Sequence, residues 1–330
     1  MAEPKIVVTR RIPEPAVEIL REAGDVWVSP DDRPLEVSEL HDAIAGADVV
    51  VTLLHDKVDD AFLDAAGDQL RAVCNVAVGF DNIDVPAATK RGVLVTNTPA
   101  VLTEATADLA MTLILAATRR IGEGERLIRA REPWSWHMFM LLGTGLQGKT
   151  LGVVGMGAIG QSLARRAKAF GMEIVYSDAR QAPAEVEQEL GARRVELDEL
   201  LGMADVVTVH APLMDETRHL IDADTLAKMK DTAYLVNSAR GPIVDEAALV
   251  DALQAGKIAG AGLDVFENEP DVHPGLLELD NVVILPHLGS ATIETRTAMG
   301  VLAAKNAIAV LNGDKPPTPV NPEVLEGARS

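Results

Sequence analysis

One cysteine in 330 residues, Cys74, leaves no partner for an intramolecular disulfide and no set of thiolates for a metal site. No apolar run reaches the roughly 20 residues that a membrane-spanning helix needs. The opening "MAEPKIVVTR" enters a strand-like segment at once and has no signal-peptide layout. Cations are scarce: 30 Lys and Arg stand against 50 Asp and Glu, a formal charge of −20. Such a surface repels nucleic acid and acidic membranes. The acidic residues are spread along the chain and form no tail. These deficits point to a soluble cytoplasmic protein with no metal, no nucleic-acid partner and no membrane partner. Arginine outnumbers lysine about two to one, so the few cations suit recognition of a carboxylate or phosphate.

What is present is enough apolar residue, 48% of the chain, for two cores. The first hundred residues alternate between apolar runs ("KIVVT", "DVWVS", "ADVVVTLL", "LRAVCNVAV", "VLVTNT") and helix-period segments ("PEPAVEILREAG", "VSELHDAIAG"). That alternation predicts a parallel sheet covered on both faces. None of these first turns carries a glycine triplet. The stretch "TEATADLAMTLILAATRRIGEGERLIRA" then reads as one long helix over residues 103–130, with apolar residues in excess of what one flank of a domain needs. A tryptophan-bearing segment, "REPWSWHMFMLLGTGLQGK", follows it. Alternation resumes with "KTLGVVGMGAIGQSLARRAKAFGMEIVYSDAR", and "ADVVTVHAP", "TAYLVNSA", "AGAGLDVF" and "NVVILPH" are the later strand candidates. "SATIETRTAMGVLAAKNAIAVLNG" is a helix closed by Gly313, and "DKPPTPVNPE" an extended tail.

Gly155, Gly157 and Gly160 form G-x-G-x-x-G between an apolar strand (residues 151–154) and a helix that begins near Ala158 and Ile159. In that setting the glycines serve a tight turn, close approach to a pyrophosphate and helix–strand packing. The helix N-terminus offers unpaired N–H groups to the anion. Asp178 ends the next strand, where a carboxylate can take the adenosine ribose diol and repel a 2′-phosphate. NAD is therefore favoured over NADP, with Arg180 nearby to moderate the preference.

Three residues close or follow apolar runs in the second half: Arg240 after "YLVNSA", Glu269 at the end of "LDVFENE" and His287 at the end of "VVILPH". Carboxyl ends of parallel strands line ligand crevices in such folds. Reduction of a 2-oxo acid needs a planar cation for the carboxylate, which Arg240 supplies. It needs a proton donor for the carbonyl oxygen, a role that an imidazole such as that of His287 can fill. A neighbouring carboxylate, Glu269, stabilises the imidazolium.

The chain resembles the D-isomer-specific 2-hydroxyacid dehydrogenases, and within them the glyoxylate/hydroxypyruvate reductase branch. "NVAVGFDNIDV", "GKTLGVVGMGAIGQSLARRAKAFGM", "HAPL", "LVNSARGPIVDEAAL", "AGAGLDVFENEP" and "ILPHLGSAT" carry the resemblance, in family order over residues 72–292. It implies an α/β fold of two doubly wound parallel-sheet domains with an interdomain cleft. A flavodoxin-like substrate domain would comprise residues 1–100 and 288–330, and an NAD-binding Rossmann domain residues 101–287. It implies Arg240, Glu269 and His287 as the catalytic set. Val76, Ala77, Val78 and Gly79 would offer backbone N–H groups to the substrate carboxylate, with Leu53 and Leu54 bordering the pocket. Asp264 would hold the nicotinamide carboxamide, with Thr106, Ala239 and Gly289 also lining the cofactor; His210 and Pro212 would flank the adenosine half. The family also implies a homodimer through the long helix and "PWSWHMFM", with Trp134 or Trp136 reaching the partner. Glyoxylate and hydroxypyruvate are the expected substrates and NADH the preferred cofactor. Among rival enzymes, formate dehydrogenases pair the histidine with glutamine, against Glu269 here. Phosphite-oxidising relatives share "GTGL" at residues 143–146 but carry lysine where Val78 stands. Phosphoglycerate dehydrogenases often add a C-terminal regulatory domain for which the chain ends early, although short forms exist. A non-enzymatic NAD-sensing corepressor is the remaining alternative, and no partner-recruitment module is present to favour it.

Overall fold

The structure, a computed structural model, describes residues 3–327. They divide into two compact units, residues 3–102 with 291–327, and Thr103–Ser290.

The first unit begins with strictly alternating elements: β1 (Lys5–Val8), α1 (Glu14–Arg21), β2 (Asp25–Val28), α2 (Val37–Ile44), β3 (Val49–Thr52), α3 (Asp60–Ala66), β4 (Ala72–Asn75), α4 (Val85–Lys90) and β5 (Leu94–Thr96). The strands pair in parallel in the order β2-β1-β3-β4-β5. β3, β4 and β5 are buried on both faces, which is why their sequences are runs of β-branched and small apolar residues with no polar alternation. Edge strand β2 alternates between exposed and half-buried positions instead.

The second unit opens with α5 (Thr103–Thr118) and α6 (Ile121–Arg129). It continues through β6 (Thr150–Val154), α7 (Ala158–Ala169), β7 (Glu173–Ser177), α8 (Ala184–Leu190), β8 (Arg193–Arg194), α9 (Leu197–Met203), β9 (Val206–Val209), α10 (Ala223–Leu226), β10 (Tyr234–Asn237), α11 (Glu246–Gln254), β11 (Gly260–Leu263), α12 (Pro274–Leu277) and β12 (Val282–Ile284). Its seven strands are parallel, in the order β12-β11-β10-β9-β6-β7-β8. Strand order reverses between β6 and β9, so a crevice opens beyond their carboxyl ends.

The single helix expected over residues 103–130 is two helices. Its break lies at Arg120, whose φ is +53°. The carbonyl of Thr118, which a continuous helix would give to Gly122, instead accepts the N–H of Thr144 at 2.8 Å. Gly143 packs so closely there that a Cβ would lie 2.3 Å from the same carbonyl oxygen. With that bond diverted and two glycines following, the helix restarts as α6. The apolar residues expected in excess on this stretch divide between the two helices, with Ile121 and Ile128 of α6 left exposed. Ala107, Ala110, Met111, Leu113, Ile114 and Ala117 of α5 are buried in their own unit. α6 has no buried residue, and Trp134, Trp136, Met138 and Phe139 beyond it are exposed.

The chain then returns to the first unit. α13 (Ile293–Leu311), capped by Thr292, buries Ala303, Ala304 and Ala307 against Val49, Val51 and Cys74. Its end is marked by Gly313 at φ +77°. The tail is a strap: Thr96 bridges Pro319 antiparallel, and the side chain of buried Asn321 accepts the Val95 N–H at 2.7 Å. The strap closes with α14 (Glu323–Gly327). No helix among the described residues is long and apolar enough to cross a membrane.

Candidate active site

The glycine turn leaves β6 at the point where strand order reverses. Gly155 has φ +94°, and a Cβ there would lie 2.6 Å from Ala211 N and 2.7 Å from the His210 carbonyl carbon. The turn therefore crosses the end of β9 backbone against backbone. A Cβ on Gly160 would lie 2.3 Å from the Gly155 carbonyl oxygen. A Cβ on Gly157 would meet no atom within 4 Å, so the space above the start of α7 is open. Ala158 and Ile159 form the first turn of that helix, whose leading N–H groups have no intrahelical acceptor. Asp178 follows β7, with Oδ2 accepting the Met156 N–H at 2.8 Å and Oδ1 the Arg180 N–H at 2.9 Å. The carboxylate thus abuts the turn, while Arg180 is exposed. Open space, a helix start and an adjacent carboxylate fit the adenosine and pyrophosphate of a dinucleotide.

His210 continues from β9 with its N–H on the Val154 carbonyl at 2.7 Å and its Nε2 2.9 Å from Thr208 Oγ1. Burial pushes its pKa down to about 4, so the ring is neutral at physiological pH. Pro212, two residues on, is exposed, and its carbonyl accepts the Thr217 hydroxyl at 2.7 Å.

The remaining residues of the second unit sit beyond β10, β11 and β12, which are neighbours in the sheet. Asn237 ends β10 and shapes the turn after it: Oδ1 accepts the Ala239 N–H at 3.0 Å and Nδ2 donates to the Arg240 carbonyl at 2.9 Å. Arg240 is half-buried, with one guanidinium N–H on the Ala239 carbonyl at 2.8 Å. Ser238, two residues before it, has a buried hydroxyl with no hydrogen-bond partner among the described residues. Glu269 lies on the segment after β11. Its Oε1 accepts the Phe266 N–H at 3.1 Å and its Oε2 is 2.8 Å from His287 Nδ1. That bond leaves Nε2 of the imidazole to meet a reacting atom.

His287 has φ +54°, a left-handed conformation that non-glycine residues rarely adopt. Asp264 holds it there. The Asp264 carbonyl accepts the His287 N–H at 2.9 Å, and its carboxylate accepts Leu288 N–H at 2.7 Å and Gly289 N–H at 2.8 Å. Burial raises the Asp264 pKa, opposed by those N–H groups and by His287. Thr106 closes the group: a Cβ on Gly289 would lie 3.4 Å from both Asp264 Oδ2 and Thr106 Cγ2. Thr106, Asp264 and Gly289, far apart in sequence, therefore meet at one point.

In the first unit, Leu53 and Leu54 follow β3 and are half-buried. The Leu53 N–H donates to Asp56 Oδ2 at 2.8 Å, and its carbonyl accepts Asn82 Nδ2 at 3.2 Å. Val76, Ala77, Val78 and Gly79 follow β4. The carbonyls of Ala77, Val78 and Gly79 accept Thr98 N–H, Asn97 Nδ2 and Asn75 Nδ2 at 2.7, 2.8 and 3.0 Å. In a trans peptide the N–H points opposite its carbonyl. The N–H groups of Val78 and Gly79 thus face away from those donors, and among the described residues neither has an acceptor. Two adjacent N–H groups turned the same way are a feature that can receive an anion. The sequence reading missed its scaffold, Asn75, Asn82 and Asn97, and missed Asn237. Their signal was an asparagine ending an apolar strand, since both Asn75 and Asn237 are buried at such ends.

Dinucleotide cradle, histidine–carboxylate pair and arginine at neighbouring strand ends define a nicotinamide-dependent oxidoreductase. The family model of the D-isomer specific 2-hydroxyacid dehydrogenase NAD binding domain matches residues 111–289. The glyoxylate reductase of Thermococcus onnurineus (strain NA1) is 50% identical over 328 residues, 98% of this chain and 97% of that one. The structure of a glyoxylate reductase from Paecilomyes thermophila is similar at TM-score 0.88 and 36% identity, covering 98% of this chain and 100% of that one. An NADPH-dependent glyoxylate/hydroxypyruvate reductase from Sinorhizobium meliloti, in complex with NADP and malonate, is similar at TM-score 0.81 and 36% identity, covering 97% of each chain. This chain belongs to the D-isomer-specific 2-hydroxyacid dehydrogenase family.

Proposed function

We propose that the protein reduces glyoxylate to glycolate and hydroxypyruvate to D-glycerate, with NADH preferred over NADPH. The observation that carries this reading is the 2.8 Å pair of His287 Nδ1 and Glu269 Oε2, placed beyond the sheet edge that also bears the glycine turn. The names of the similar proteins support the substrate class.

A bound nicotinamide supplies the hydride to the carbonyl carbon. The chain's own groups do the rest. Arg240 holds the substrate carboxylate through its planar fork. His287, as imidazolium, gives its Nε2 proton to the carbonyl oxygen as negative charge develops there. Glu269 stabilises that imidazolium through Nδ1. Asp264, Thr106 and Gly289 would hold the nicotinamide end, and Asp178 the ribose diol. Leu53, Leu54 and Val78 make a small apolar wall suited to hydrogen or hydroxymethyl on the carbonyl carbon. The first unit acts as substrate domain and the second as cofactor domain. The protein works in the cytoplasm as a homodimer. Its exposed apolar segment, Trp134, Trp136, Met138 and Phe139, is the contact, and one tryptophan reaches the partner's site.

Glycerate formed from hydroxypyruvate and NADH, analysed on a chiral column, tests the reaction and its hand together: the D isomer is expected, and the L isomer or no product contradicts the reading. A mass by light scattering at micromolar concentration tests the dimer.

A further inference from the structure

Glu246 opens α11 directly behind the Arg240 turn, and its side chain is only 5% exposed. It does not cap that helix. Asp245 does so, accepting the Ala248 N–H at 2.9 Å. Glu246 instead reaches across to the segment that bears Glu269. Its Oε1 accepts the Glu267 N–H at 2.6 Å, and Glu267 Oε2 lies 3.4 Å from the Glu246 N–H in return. The other oxygen of Glu267 is held by His219. One peptide earlier, the Phe266 N–H donates to Glu269 Oε1 at 3.1 Å. The two segments touch backbone to backbone, since a Cβ on Gly241 would lie 1.9 Å from the Phe266 carbonyl carbon. The Arg240 turn comes from β10 and the Glu269 segment from β11. β11 ends at Leu263, so strand pairing does not set where residues 266–269 stand.

We infer that Glu246 is a positioning residue: by fixing the Phe266 and Glu267 backbone it sets Glu269 against His287 at a constant offset from Arg240. This rests on the reading of Arg240, Glu269 and His287 as the catalytic set. Two consecutive N–H groups are divided between two carboxylates, one acting on the imidazole and one buried behind it. Burial raises the Glu246 pKa, as does the nearby Glu267 carboxylate, while the Glu267 and His273 N–H groups oppose that rise. A displacement of the acid–base pair by about 1 Å can cost on the order of a hundredfold in rate.

The test is a double-mutant cycle on the full chain, with kcat, KM for glyoxylate and thermal midpoint measured for each variant. Glu246→Ala is expected to lower kcat about 10- to 100-fold, with KM changed less than threefold and the protein folded. Glu246→Gln, which keeps one acceptor oxygen, is expected to recover most of the lost rate. In a Glu269→Ala background, Glu246→Ala is expected to cost little more, because it acts through Glu269. Full additivity in that background, or wild-type kcat in Glu246→Ala, overturns the inference. If Glu269→Ala alone keeps wild-type kcat, the reading of the site fails first, and the inference falls with it. Should Glu246→Ala not fold, Glu246→Asp, which retracts the acceptor by one methylene, takes its place in the same cycle.

Discussion

The backbone N–H of His287 donates to the carbonyl of Asp264 at 2.9 Å, while the Asp264 carboxylate accepts the next two backbone N–H groups. A single aspartate thereby holds three consecutive peptides around a residue at φ +54°. Left-handed backbone at a non-glycine residue costs on the order of 1–2 kcal/mol, and these bonds offset it. Asp264→Asn replaces one acceptor by a donor that faces an N–H. It is expected to lower kcat about 10- to 100-fold and the thermal midpoint by several degrees, in line with a loss of about 1–3 kcal/mol for an unsatisfied buried group. A kcat within twofold of wild type contradicts this role.

The three glycines of the turn separate into two kinds. Gly160→Val drives its side chain into the Gly155 carbonyl, so the protein itself is expected to lose stability. Gly157→Val meets open space at φ −73°. Its thermal midpoint without cofactor should stay within a few degrees of wild type while the Kd for NADH rises at least about tenfold, or ~1.4 kcal/mol. Calorimetric titration with NADH decides it; unchanged affinity in Gly157→Val shows that the dinucleotide lies elsewhere.

His287→Ala removes the proposed proton donor and leaves the glycine turn untouched. Expected is a fall in kcat of about 10²–10⁴ with the NADH Kd preserved. Retention of more than half the wild-type rate removes His287 from the chemistry.

The pH dependence of stability carries a term from His210. Its pKa is lowered from 6.5 to about 4 by burial, so the unfolded chain takes the proton first. This residue's contribution is present above pH 6.5 and is lost as pH falls through about 4. Urea midpoints of the wild type and His210→Gln, compared over that window, should converge toward acid; parallel curves contradict the assignment.

How much of this was legible in the sequence depends on the range of the forces involved. β3, β4 and β5 are buried on both faces, so their β-branched runs announced them, and the alternation with helices implied parallel pairing. Arg240, Glu269 and His287 each followed such a run. The structure brings Glu269 and His287 together and sets Arg240 beyond the strand next to Glu269's. The break at Arg120 was not legible, because the competitor for the Thr118 carbonyl is Thr144, on a segment that local periodicity does not see. Two-residue β8 was too short to leave a pattern. Glu246 was passed over because an acidic residue at a helix start ordinarily signifies only a favourable dipole position. Its burial beneath Glu267 is a tertiary fact.

kcat/KM for glyoxylate, hydroxypyruvate, pyruvate and phenylpyruvate, each with NADH and with NADPH, decides whether a small 2-oxo acid and NADH are the enzyme's pair. Glyoxylate and hydroxypyruvate are expected to give the highest values, and NADH higher values than NADPH, because the Asp178 carboxylate beside the glycine turn would repel a 2′-phosphate. A higher kcat/KM for pyruvate or phenylpyruvate than for glyoxylate, or a preference for NADPH, contradicts it.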